Sequence, residues 1–307
     1  MTHKKSLIKK VKIVFIFCLG VILVGCVSAT SKQMTANFGG AAKAISLQTE
    51  LTLKSVRASD SNLLVSTALT DNSTVLELPA ISPKDIALRL TLLSEISKYS
   101  DALLIMSSDV ELERIDKASR ELYGALGALN QTIQQTTNST EPPLASNDLQ
   151  LVATAVNIAG RWFFERARLD AIKTSVTKAD PVIKKAIELL TTEIKKDGTW
   201  SKSLKLSLES DAKNLFKVAQ SIKKIESRRT LLSEAQQLYD QASFVDGTFT
   251  RLNSSLEELK ASHSALSIAL QNDSEVNIKN ALNSLSKLES EITRIYAFQA
   301  SLAETGE

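Results

Sequence analysis

Proline disappears from this chain after Pro181. The others stand at Pro79, Pro83, Pro142 and Pro143, so the 126 residues from Val182 to Glu307 hold none, and only Gly198, Gly247 and Gly306 interrupt them. Proline removes a backbone donor and its ring clashes with the preceding helical turn, so a proline-free stretch of this length is open to very long helices. The residues that fill it suit that use. Ala, Leu, Lys, Glu, Ser and Gln dominate and aromatics are only 5% of the chain, a bias that fits helices with narrow apolar seams.

The seams can be read directly. Leu231, Ala235, Leu238, Ala242, Val245, Phe249, Leu252, Leu256, Leu259, His263, Leu266 and Leu270 follow alternating steps of four and three, and all but His263 are apolar. At a rise of about 1.5 Å per residue this stretch makes a helix of about 60 Å. A second seam joins Ile278, Ala281, Leu285, Leu288, Ile292, Ile295, Gln299 and Leu302; a third joins Leu204, Leu208, Asp211, Leu215, Val218, Ile222 and Ile225. Sustained heptads predict helix against helix. Asp211 and Gln299 read as register devices or seam ends. The phase slips between Ile225 and Leu231, which predicts a turn or overwinding within residues 226–230. Asp246-Gly247 is a turn signal that the heptad overruns, so the helix is expected to continue there, with the reversal at Asn272-Asp273-Ser274.

Upstream, Ser82-Pro83-Lys84-Asp85 offers an N-cap serine, proline at the first helical position and an acid in the first turn. Asp180-Pro181 is expected to open another helix in the same way. Residues 138–147, with Pro142-Pro143, read as a linker. Gly124 and Gly127 lie beside a seam of Leu112, Ile115, Leu122, Leu126, Leu129 and Ile133, where they are expected to admit close helix approach. Leu149 to Gly160 is uncharged and is expected to be a central helix buried on all sides. The Arg161-Trp162-Phe163-Phe164 run after it is a candidate contact for an apolar ligand or a membrane. No run alternates with period two strongly enough for a sheet. The fold predicted is all-α: an elongated antiparallel helical bundle with long coiled-coil-like helices.

The first residues have a different purpose. Lys4, Lys5, Lys9, Lys10 and Lys12 precede an uncharged run from Ile13 to Val24, the parts of a secretory signal. That run is too short for a permanent helix across a core of about 30 Å. It ends in Leu23-Val24-Gly25-Cys26, which resembles the lipobox of bacterial lipoproteins. The resemblance implies diacylation of Cys26 on sulfur, removal of the preceding segment and acylation of the new amino group. Two or three acyl chains hold a protein on a membrane essentially permanently, where one holds it marginally. Val27, in place of Asp, implies by the same resemblance the outer membrane, facing the periplasm of a Gram-negative host. The chain is thus expected to comprise a cleaved signal peptide (1–25), a lipidated cysteine with a short tether (26–31), an N-terminal helical part (32–137), the linker (138–147) and a C-terminal long-helix part (148–307).

Processing changes the charge. The full chain carries 37 basic and 34 acidic residues, and five of the lysines leave with the signal, so the body has 32 against 34. The apparent basicity belongs to the signal, and no nucleic-acid partner is expected. Cys26 becomes the sole cysteine and His263 the sole histidine, too few for the usual zinc or thiolate sites. No Gly-rich phosphate loop is present at Gly39-Gly40 or Gly124–Gly127. Acidic pairs such as Glu257-Glu258 and Glu289/Glu291 read as solvated helix faces. The reading is therefore non-enzymatic, without cofactor or metal: a lipid-anchored scaffold or adaptor for another cell-envelope protein. A carrier or sensor of an apolar ligand is the first alternative and a helical pore former or toxin the second. His263 is a candidate pH-sensitive seam residue. If burial governs it, replacing it with Leu is expected to stabilise the body and flatten its response between about pH 5 and 7.

Overall fold

The computed structural model describes residues 3–70, 81–161, 165–195 and 198–304, with side chains except at 3–28, 112, 156–161 and 297–304. Among the described residues there are eight helices and no strand: α1 His3–Thr70, α2 Pro83–Ser107, α3 Leu112–Thr137, α4 Ser146–Arg161, α5 Glu165–Ile194, α6 Thr199–Ser221, α7 Ile225–Gln271 and α8 Glu275–Glu304. The fold is an all-α bundle. Helix α1 packs on α2, α2 on α3, α3 on α4, α4 on α5, α6 on α7 and α7 on α8. Packing of α1 against α6 and of α5 against α7 closes these hairpins around one apolar core, to which α1 through α8 all contribute.

Local chemistry explains two of the boundaries. Ser82 accepts a hydrogen bond from the Asp85 amide at 3.1 Å with Pro83 at the first helical position, as its sequence signals. Asn138 ends α3 in the left-handed conformation at φ 51°, which Asn tolerates. Helix α7 runs unbroken through Asp246-Gly247 and reverses at residues 272–274. Ten of its twelve seam residues are buried, and Leu231 and Leu238 are half-buried.

Other expectations change. Asp180-Pro181 does not open a helix; Pro181 lies inside α5. An interior proline costs about 3 kcal/mol, but Ala179, Val182 and Ile183 on either side are fully buried, and Pro181 itself faces outward. Core packing on both sides outweighs the local break. The gap between α6 and α7 falls at residues 222–224, ahead of the phase slip, and Ile225 is 81% exposed instead of closing its seam. Helix α4 is not central. It packs on α3 and α5, and Leu151 is 52% exposed. Helix α1 is continuous across Cys26.

The close-approach glycine is Gly39. A β-carbon there would stand 2.5 Å from the Ser100 carbonyl oxygen and 2.9 Å from the Leu104 nitrogen of α2, both backbone atoms, whereas one at Gly124 or Gly127 meets nothing within 4 Å. Gly39→Ala is expected to lower stability by about 1–3 kcal/mol, because α1 and α2 must separate. Gly124→Ala is expected to raise it by about 0.5–1 kcal/mol, since alanine fits a helix interior better. Urea melts of the two variants check both signs.

Candidate functional site

The most specific polar arrangement in the core centres on His263, where four helices meet. His263 and Tyr99 are both fully buried. The imidazole Nδ1 lies 3.0 Å from Asp180 Oδ1 of α5, and Nε2 lies 2.9 Å from the Tyr99 hydroxyl of α2. Phe38 of α1 packs edge-on against the ring at 5.2 Å between centroids. Asp180 also accepts from Ser264 Oγ at 3.0 Å and pairs with Lys184 Nζ at 2.6 Å. The heptad puts His263 in the core, the α2 stripe of Leu92, Ile96, Tyr99, Leu103 and Met106 brings the phenol to it, and unbroken α5 brings the acid.

These contacts fix the protons. An ionised carboxylate only accepts, so Nδ1–H donates to Asp180, which leaves Nε2 to accept from the Tyr99 O–H. Every partner is satisfied with a neutral ring. Protonating Nε2 makes it a donor and leaves the buried Tyr99 proton without an acceptor. Burial pushes the His263 pKa below its ordinary 6.5, outweighing the hydrogen bond and charge of Asp180, while Lys184 adds to the lowering. Burial pushes Asp180 up, but hydrogen bonds from His263 and Lys184, the His263 charge and the Ser264 hydroxyl together hold it at about 2. Burial, then the Asp180 charge, raises the Tyr99 phenol well above 10.0, so it keeps its proton. With both ring nitrogens engaged inside the core, the arrangement can orient four helices and respond to a proton.

The acid facing His263 is Asp180, 83 residues away in sequence. Sequence reasoning missed Tyr99 and Asp180. A buried tyrosine must place its hydroxyl, which was the available signal for the first.

At one end of the bundle Lys32 bridges Asp109 at 2.9 Å and Glu165 at 2.7 Å, and buried Arg168 joins Glu165 at 3.0 Å. Lys32 lies six residues beyond Cys26 on the same helix. The Cys26 and Arg161 side chains, and Trp162, Phe163 and Phe164, lie outside the described residues. An open groove of about 440 Å³ between α7 and α8 is lined by Asp246, Gly247, Thr250 and Arg251 with Glu291 and Arg294, and Glu291 and Arg294 already pair with each other. Among residues with described side chains, no helix is long and apolar enough to cross a membrane and no group of three acidic, His or Cys residues is placed to hold a metal. No family model, curated protein or solved structure matches this chain.

Proposed function

We propose that this is a lipoprotein anchored through Cys26 to the periplasmic face of an outer membrane, and that its helical body is a non-enzymatic scaffold or adaptor for another envelope protein. The observation that carries the reading is Leu23-Val24-Gly25-Cys26 behind a basic, then apolar, leader. The continuity of α1 supports it: at about 1.5 Å per residue, Cys26 lies about 9 Å along the helix from Lys32, whose ion pairs fasten α1 to the α2–α3 turn and the start of α5. An acylated Cys26 would thus hold the bundle close to the bilayer, joined through helix and not through a flexible stalk.

Cells fed a palmitate analogue are expected to label the wild-type protein and not Cys26→Ala, and the variant is expected to leave the membrane fraction. Equal labelling of the two proteins would overturn the anchor, and with it the assignment to the membrane.

A further inference from the structure

The hairpin in which α6 turns into α7 combines charge and exposed apolar surface. From Lys213 to Arg229 there are six cations, Lys213, Lys217, Lys223, Lys224, Arg228 and Arg229, and one acid, Glu226. All six are exposed, and among the described residues only Lys224 has an ion pair, 3.4 Å from Glu226. The rest of the body is acidic on balance, so this concentration is local.

The apolar seams open at the same place. Leu204 and Leu208 are buried, Leu215, Val218 and Ile222 only half-buried, and Phe216 and Ile225 are 49% and 81% exposed. On α7, Leu231 and Leu232 are half-buried and Ala235 is the first buried position. At this level α1 nears its end at Thr70, and its Ser66 and Thr67 hydroxyls meet Asn214 of α6 at 3.2 Å. Beyond that level the spacing of a packed seam continues while its cover thins.

We propose that this hairpin, from Lys213 to Leu232, docks an acidic amphipathic helix of a partner protein. The inference rests on the adaptor reading above and assigns that reading its contact surface. Three observations select the occupant. The open residues keep the four-and-three spacing that seals the deeper seam, so a helix laid alongside completes the packing. Six exposed cations beside one acid call for a negatively charged partner, and charge complementarity of this kind sets partner choice and association rate. A second copy would bring the same cations face to face, which disfavours pairing of like hairpins.

The test uses the full-length protein in its membrane, with photoreactive benzoylphenylalanine at position 216 or 225 and, as controls, at the exposed positions 151 and 276. Positions 216 and 225 are expected to crosslink to one protein, at an acidic amphipathic helix within it. That adduct should fall about tenfold or more in a variant with Lys223→Glu, Lys224→Glu, Arg228→Glu and Arg229→Glu whose circular dichroism melt is unchanged. If that variant melts early, loss of the wild-type adduct on raising salt serves in its place. Adducts at 151 or 276 but not at 216 and 225 overturn the docking surface and leave the adaptor reading standing. Absence of protein adducts at all four positions overturns both. Adducts to lipid, to a second copy of this chain, or to a protein whose capture ignores charge reversal and salt overturn the proposal.

Discussion

Leu256→Asp is expected to cost about 5 kcal/mol, which approaches the whole stability of many domains at about 5–15 kcal/mol. Leu256 is fully buried in the middle of α7, between Leu252 and Leu259, which are buried as well. Losing the leucine removes its packing, worth about 2–5 kcal/mol in cores of this kind, and the aspartate adds a charge with no partner. The melting midpoint should drop by about 10 °C or more. Ile268→Asp on the same helix is the control, because Ile268 is 53% exposed and off the seam. Its midpoint should stay within a few degrees of wild type. Circular dichroism melts of the pair separate burial from any general effect of an added acid, and an unchanged Leu256→Asp midpoint would refute the packing of α7 described above.

The second large effect is acid lability. The folded pKa of His263 lies below that of the unfolded chain, near 6.5. Between those values the unfolded chain binds a proton that the folded one does not, so stability is lost as pH falls through about 6.5 towards the folded value. Asp180 adds a lower window. Its contribution is complete above 3.8 and disappears as pH falls towards about 2. The Tyr99 contact reverses the sequence-based expectation for His263→Leu. Leucine leaves a fully buried hydroxyl unpaired, so this variant should lose about 1–3 kcal/mol at pH 8. Combining it with Tyr99→Phe removes both ends of the bond, and the double variant should recover much of that loss. Its stability should also be flatter between about pH 5 and 7, while the lower window persists because Lys184 and Ser264 still hold Asp180. Urea titrations across that range decide the matter; parallel curves for wild type and double variant would refute the role given to His263.

What was legible in the sequence was local. The α7 seam, the reversal at residues 272–274 and the Ser82-Pro83 cap depend on spacing and on side chains within a turn of the backbone they serve. Pro181 was misread because the local rule for proline holds only until buried neighbours on both sides outweigh it. Gly39 and Gly124 look alike in sequence, and only the approach of α2 distinguishes them. Tyr99, Asp180 and His263 stand on three different helices, and their meeting depends on how those helices slide against one another. Periodicity names the face a helix offers, but not how far along it a neighbour extends. Leu215, Val218 and Ile222 therefore read as core and stand half open.

Helix α7 belongs both to the neighbourhood of His263 and to the hairpin with α6, and this gives the histidine the position of a fulcrum. From residue 230 to His263 is about 50 Å of unbroken helix, so a tilt of about 5° at the histidine swings the far end by about 4 Å. Packed helices accommodate tilts of that size by small sliding movements. A hydrogen bond tolerates only a few tenths of an ångström before it weakens. The two bonds on the imidazole, one to α2 and one to α5, therefore set the aim of a lever whose free end lies far from them.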